Sequence, residues 1–262
     1  MPELPDVEVF RKYFESTALH KTVTTVEVYS KDILDGISGK QLQSRIQGRE
    51  FATTHRHGKY FFAQLQNDGW AVFHFGMTGY FSYCAHESSL PEHTRVLFIF
   101  EDESHLCFVL QRKLGKISMT QDIDFFVEKH EMGPDVLDEN FDLETFKKLI
   151  KNSRGSVKSA LMKQERMAGI GNIYSDEILF HARLSPTTPI NLLNDQLVKK
   201  LFQSMKIVLQ TAIERQADPR KMPSDYLLPH RGKNGRCPVC HGEIKKKNVS
   251  GRTSYYCPSC QG

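Results

Sequence analysis

Apolar positions recur with two different periods along this chain, and the change of period divides it. From Asp6 to Thr17, Val7, Phe10, Tyr13 and Phe14 share one face at helical spacing, which predicts a short amphipathic helix. The next stretch alternates instead. Thr22–Tyr29, Lys59–Leu65, Trp70–Phe75, Arg95–Phe100 and Leu106–Leu110 are short runs rich in β-branched and aromatic residues, parted by turn signals such as Asn67-Asp68-Gly69. Strands this short and closely spaced predict a sandwich or barrel rather than a parallel α/β sheet. Beyond a Gly133-Pro134 breaker the helical period returns in Leu143–Lys151, Val157–Gln164, Ile173–Ala182 and Gln196–Arg215. The last of these holds Val198, Leu201, Phe202, Met205, Leu209 and Ile213 in one stripe, which reads as core rather than a cofactor box. The pattern predicts an α+β multidomain chain: an N-terminal β-sandwich with flanking helices over residues 1–132, a helical module over 133–218, and a polar, Pro- and Gly-containing terminal segment over 219–262.

Composition narrows the class without naming a function. The 262 residues are 39% hydrophobic and 25% charged, ordinary for a globular protein. No apolar run approaches a bilayer span, and the start MPELPDVEVF has neither the basic nor the apolar region of a secretory signal. The expected location is therefore cytoplasmic. Charge is more informative by half than in total. The net of +4 splits into 14 basic against 18 acidic residues over 1–132, and 21 against 13 over 133–262. From Pro219 onward there are 9 basic and 2 acidic residues, either a solvated face or the footprint of a polyanion site.

Cysteine spacing adds chemistry. Cys84 and Cys107 are isolated in apolar runs and read as small buried hydrophobes. Cys237-Pro-Val-Cys240 and Cys257-Pro-Ser-Cys260 are two C-x2-C knuckles, each presenting two thiolates, and together they make a tetrahedral set for one Zn2+. Four protein ligands leave no open position, so the zinc is structural. The segment between the pairs predicts a β-hairpin turning near Ser250-Gly251, with Arg252 at its tip and Lys245, Lys246 and Lys247 along one strand, suited to phosphates.

The N-terminus offers a nucleophile. Proline after the initiator methionine allows removal of Met1, which leaves Pro2 as a free secondary amine. An α-amino group titrates near 8, against about 10 for a lysine, so part of it is unprotonated at neutral pH. Attack on a sugar C1′ by such an amine gives a cationic iminium, an electron sink that favours departure of the base and then of phosphate. Glu3 is the adjacent acid or base.

Several motifs carry a family resemblance over the whole chain. Met1-Pro2-Glu3-Leu4-Pro5-Asp6-Val7-Glu8, Gly58-Lys59-Tyr60, His74-Phe75-Gly76-Met77-Thr78-Gly79, Ala168–Tyr174 followed by Glu177, and Gly251–Cys257 resemble, in order, the motifs of the Fpg/Nei family of DNA glycosylase/AP lyases. The resemblance implies a helix-two-turn-helix in the helical module and a zinc-finger β-hairpin after it. It also implies a monomer acting on double-stranded DNA that carries a damaged base or an abasic site. Pro2 would be the nucleophile and Glu3 the acid that protonates the deoxyribose, with Asp6 supporting a proton transfer. Lys59 would bind a phosphate beside the lesion, or else is a snorkelling surface lysine. Asn172 would hold backbone phosphate at a helix N-terminus, compatibly with an ordinary N-cap. Lys158 aligns with a phosphate contact, or is a solvated helical lysine. Arg252 would bind the phosphate of the flipped nucleotide. Met77 would fill the gap left in the stack, or is a buried methionine. His74 reads as a phosphate or packing residue.

The chain departs from the family pattern in three places. Asp6 stands where Glu is usual. Val109–Gly115 replaces D-P-R-R-F-G, so Arg112 remains to pair with the orphaned base while Leu114 stands for an aromatic wedge. Gln216–Arg236 lacks the Gly-rich segment that closes over an oxidised purine, which leaves the preferred lesion open. Two rivals follow from the same features. A non-catalytic damaged-DNA-binding protein of the same fold would keep Met1, whereas a zinc-ribbon adaptor leaves Pro2, Glu3 and Asn172 unexplained.

Overall fold

The computed structural model describes residues 1–262 apart from 86–89 and 233. It contains two compact units, one made of Met1–Pro2 and Asp6–His130, the other of Glu3–Pro5 and Glu131–Gly262. The short segment Glu3–Pro5 therefore belongs to the unit that follows it in the chain by more than a hundred residues.

The first unit carries most of helix α1 (Leu4–Ala18) and the strands β1 (Val23–Val28), β2 (Phe51–His57), β3 (Tyr60–Leu65), β4 (Trp70–His74), β5 (Tyr80–Cys84), β6 (Thr94–Phe100), β7 (His105–Val109) and β8 (Lys116–Thr120). They form two four-stranded sheets, ordered β1-β6-β7-β5 and β2-β3-β4-β8, with every pairing antiparallel. Alternate residues of both sheets meet in one core. Phe61 and Phe73 from one sheet pack with Phe81, Phe98 and Phe108 from the other, and Val7 and Phe14 of α1 close it. Each such side chain contributes about 1.5–3 kcal/mol on leaving water. This is the predicted sandwich. Strand β7 is buried at every position, and on its second face Cys107 and Val109 cluster with Cys84 and Leu97 of the neighbouring strands, with Leu90 and Ile99 packed against them, as expected for two buried apolar thiols.

Periodicity missed β2, β5 and β8, where Thr, His, Ser and Lys interrupt the apolar run. It also missed α2 (Gly39–Ile46), whose start is nonetheless written locally. Ser38 accepts from the Gln41 backbone N–H and Gln41 reaches back to Ser38, a capping box. A short α3 (Ile123–Lys129) ends the unit, capped by Asp122.

The second unit holds α4 (Leu143–Lys151), α5 (Val157–Leu161), α6 (Asn172–Ala182), α7 (Asp195–Glu214), and the hairpin of β9 (Lys245–Val249) and β10 (Arg252–Tyr256). The predicted stripe of α7 faces inward, with Val198, Leu201, Met205, Leu209 and Ile213 in the core beside Phe146, Tyr174 and Ile178. Helix α5 is shorter than its pattern suggested, because Gln164 leaves the helix. Its amide instead donates to Met162 O and Ile170 O and accepts from Gly169 N–H. A second, smaller core of Phe180, Leu227, Cys237, Ile244 and Cys257 joins the terminal hairpin to α6. Helix α6 is thus buried nearly all round. No helix among the described residues is long and apolar enough to cross a membrane.

Candidate active site

The chemistry-bearing residues of the second unit converge on α6. Glu3 is almost fully buried, and its carboxylate sits on the N-terminus of that helix. Gly171 N–H donates to Oε2 at 2.8 Å, Ile173 N–H to Oε1 at 2.7 Å and Tyr174 N–H to Oε2 at 3.1 Å. First-turn N–H groups have no partner inside a helix, and the helix dipole favours negative charge there. Gly171 makes the approach possible, because a Cβ at that position would collide with Glu3 Cδ and Oε1. Leu4 N–H donates to Gly169 O at 3.1 Å, so the backbone after Glu3 is tied down as well. Pro2, next in sequence, is half-buried.

This changes the reading of Asn172. The helix N-terminus expected to receive a DNA phosphate is filled by an internal carboxylate, and the N-cap is Gly171. Asn172 occupies the first helical position. Its Nδ2 donates to Thr253 O of β10 at 3.0 Å, while its buried Oδ1 has no partner among the described residues.

Lys158 is corrected more sharply. It was expected to face DNA or solvent, but it is 0% exposed, with Nζ 2.5 Å from Asp176 Oδ1. Burial holds the ammonium below the usual lysine range, although Asp176 and Glu3 pull the other way. Asp176 also accepts from Ser254 Oγ (2.5 Å), Tyr255 N–H (2.9 Å) and Arg231 (3.1 Å). Beside it Glu177, equally buried, accepts from Leu227 N–H at 2.8 Å and Leu228 N–H at 2.6 Å. Burial pushes its carboxyl up to about 7. Sequence reasoning did not single out Asp176 or Arg231. The available signal was a pair of adjacent acids inside a largely apolar helix, which is rare unless the acids are partnered.

Arg252 is exposed on β10 beside the turn, where Ser250 and Gly251 sit at φ of 51° and 75°. Two consecutive positive φ values give the tight turn that a two-residue hairpin requires. The register pairs Arg252 with Val249, as the sequence predicted for a turn at Ser250-Gly251. Below the hairpin the four cysteine Sγ atoms lie within 4.8 Å of one another, with Cys237 to Cys260 at 3.8 Å and Cys240 to Cys257 at 3.4 Å. Tetrahedral zinc with Zn–S bonds of about 2.3 Å needs sulfur separations of about 3.8 Å. The residues fit a structural zinc.

In the first unit, Lys59 lies in the β2–β3 hairpin turn rather than in the strand it was assigned to, and Tyr60 pairs with His57 across it. His74 ends β4 and packs on Tyr60 with ring centroids 4.9 Å apart. Burial, helped by Lys59, lowers its pKa to about 4, so it is neutral at pH 7 and fits the packing role. Asp6 is half-buried in the first turn of α1. Met77 and Leu114 are 39% and 51% exposed, on the β4–β5 and β7–β8 loops. These loops are joined by a hydrogen bond from Arg112 N–H to Thr78 Oγ1 at 3.1 Å. Met77 is therefore not a core methionine, and Arg112 shares the β7–β8 loop with Leu114.

Known proteins match this chain along its whole length. Residues 1–117 match the formamidopyrimidine-DNA glycosylase N-terminal domain, 132–223 its H2TH domain, and 235–262 the zinc finger found in FPG and IleRS. The formamidopyrimidine-DNA glycosylase of Carboxydothermus hydrogenoformans is 33% identical, with 100% of each chain covered. That of Pelotomaculum thermopropionicum is 31% identical over 100% of this chain and 99% of its own. Among solved structures, the Lactococcus lactis enzyme bound non-covalently to DNA with an abasic site superposes with a TM-score of 0.89 at 26% identity, and the same enzyme with FAPY-dG DNA at 0.86 and 26%, each covering 99% of both chains. The chain belongs to the formamidopyrimidine-DNA glycosylase family and is a DNA glycosylase/AP lyase of base-excision repair with one structural zinc site.

Proposed function

We propose that this enzyme removes oxidised or ring-opened bases from double-stranded DNA through a Schiff base on Pro2, and then cuts the strand by elimination. The observation that carries the reading is the seat of Glu3, a buried acid fixed by three backbone N–H groups immediately after the nucleophile. Once Met1 is removed, the Pro2 nitrogen forms a bond to C1′ as the C1′–base bond breaks. The Glu3 carboxylate takes the proton left on the Pro2 nitrogen and delivers it to O4′ as the C1′–O4′ bond opens, the freed nitrogen lone pair completes the iminium, and the departed base takes its proton from water. Loss of a C2′ proton expels the 3′ phosphate. Lys59 and Arg252 take phosphates around the lesion, while Asn172 holds the hairpin that carries Arg252. Met77 fills the gap left by the flipped nucleotide, and Arg112 meets the orphaned base. Asp6 supports a proton transfer. The four thiolates of Cys237, Cys240, Cys257 and Cys260 hold zinc, which supplies folding energy to the hairpin and no chemistry. The enzyme works in the cytoplasm on the nucleoid.

Borohydride reduction in the presence of abasic-site DNA is expected to join protein and DNA covalently through Pro2, with mass spectrometry showing loss of Met1. Pro2→Gly leaves a primary amine and should trap far less. A cross-linked peptide that maps to Lys59 would overturn the mechanism.

The segment between α7 and the hairpin bears on the lesion. Pro219, Pro223 and Pro229 have no N–H, and those of Leu227 and Leu228 already donate to Glu177. These five positions thus offer no backbone donor to an extruded base. The enzyme should therefore act faster on ring-opened purines, hydantoins or oxidised pyrimidines than on 8-oxoguanine. In a single-turnover panel with each lesion opposite cytosine, an 8-oxoguanine rate equal to the best of the others would refute this.

A further inference from the structure

Asp176 is 1% exposed and receives four donors from three separate parts of the second unit. Lys158 Nζ and Ser254 Oγ both lie 2.5 Å from Oδ1, and Tyr255 N–H and Arg231 lie 2.9 Å and 3.1 Å from Oδ2. The Arg231 guanidinium also covers the Tyr255 ring, 4.6 Å from its centroid. One turn earlier on α6, Asn172 donates to Thr253 O at 3.0 Å. Successive residues of β10 are therefore gripped in order along α6. Thr253 is held at the helix N-terminus and Ser254 and Tyr255 one turn on, which puts Arg252 at the end of the helix where Glu3 sits. A hairpin of two short strands is marginal by itself and takes its orientation from what it is fastened to.

We propose that Asp176 is the positioning residue of the DNA-reading hairpin. It fixes the strand that carries Arg252, and Lys158 and Arg231 are its counter-ions rather than contacts to DNA. The inference rests on the reading of Arg252 as a phosphate ligand. Lys158 and Arg231 both pair with the one Asp176 carboxylate. A neutral side chain at 176 takes from the buried Lys158 ammonium and the partly buried Arg231 guanidinium the carboxylate they share, a state that such a site does not tolerate without rearrangement.

The test is a double-mutant cycle in the zinc-loaded protein between Asp176→Asn and Arg252→Ala, read as affinity for an abasic-site duplex and its dependence on salt. Each single substitution is expected to make the slope of log K against log salt shallower by about one phosphate contact, and the double variant should lose no more than either alone. Additive losses would overturn the proposal, because they would mean that Asp176 acts on DNA binding by a route other than Arg252. Amide hydrogen exchange supplies an independent readout. Asp176→Asn should speed exchange at Tyr255 and its neighbours in β10 while the zinc content stays at one per chain. Unchanged exchange there also defeats the proposal. Ser254→Ala removes one arm without disturbing charge, and it should give the same changes at smaller size should Asp176→Asn fail to fold. If Arg252→Ala alone binds DNA normally, the role of Arg252 fails, and the brace is then decided by the exchange measurement.

Discussion

Glu3→Gln is expected to slow base excision by about 100-fold or more, the usual contribution of a positioned acid or base. It should also lower the stability of the second unit by about 1.5–3 kcal/mol, the range for hydrogen bonds to a charged group. The two effects have one origin. The carboxylate satisfies Gly171, Ile173 and Tyr174 with two accepting oxygens. An amide offers one oxygen, and it turns an NH2 toward donors that need an acceptor. Glu3→Asp keeps the charge but, being one methylene shorter, cannot reach the same three groups without drawing the backbone after it. Gly171→Ala separates the seat from the chemistry. It leaves Glu3 in the sequence but places a methyl where Glu3 Cδ and Oε1 lie. Single-turnover excision and thermal unfolding should both fall in this variant. Wild-type excision in Gly171→Ala would show that the seat does not position the acid, and a fast Glu3→Gln enzyme would remove Glu3 from the proton transfer.

Loss of zinc should have an effect of comparable size by a different route. Cys237 and Cys257 are fully buried and form the small core that joins the hairpin to Phe180 of α6. Metal binding at such sites is folding energy, worth about 10–16 kcal/mol in isolated zinc-finger peptides. Chelation or Cys237→Ser is therefore expected to unfold residues 235–262. It should release Thr253 from Asn172 and Ser254 from Asp176, and weaken DNA binding by at least about 100-fold, which is more than one lost phosphate contact would cause. Helices α4 to α7 have their own core around Leu201, Met205 and Tyr174 and should keep their helical circular dichroism. Metal analysis, hydrogen exchange and a binding titration at fixed salt read the three parts. A metal-free protein that binds abasic-site DNA as tightly as the loaded one would contradict the coupling.

The segment from Gln216 to Arg236 shows how far composition reaches. Its prolines are visible in the sequence, and so is its lack of a Gly-rich stretch. That it is fastened to the helical body is not visible. Glu177 accepts two of its backbone N–H groups, and Tyr226 donates its hydroxyl to Thr211 Oγ1 at 3.1 Å. Partners fifteen to about fifty residues apart leave no local mark.

By itself the sequence determined whatever depends on neighbours a few residues away. Hydrophobic period sorted strands from helices and so reached the sandwich, the inward stripe of α7 and the fold class. Spacing fixed the two cysteine knuckles and the Ser250-Gly251 turn, because a chelate ring and a tight turn are local geometries. The candidate nucleophile and acid were legible because they are adjacent at one terminus. Tertiary structure alone decided what these groups touch. Asn172 and the glycines before it promised an open anion site, but the chain fills that site with its own Glu3 carboxylate from some 170 residues away. Lys158 looked like a surface lysine and is buried on Asp176, because burial of a charge is set by a partner that any distant part of the chain can supply. A charged residue in a sequence states its charge but not its partners: here Asp176 takes Lys158, Arg231 and strand β10, and Glu3 takes the N-terminal N–H groups of helix α6.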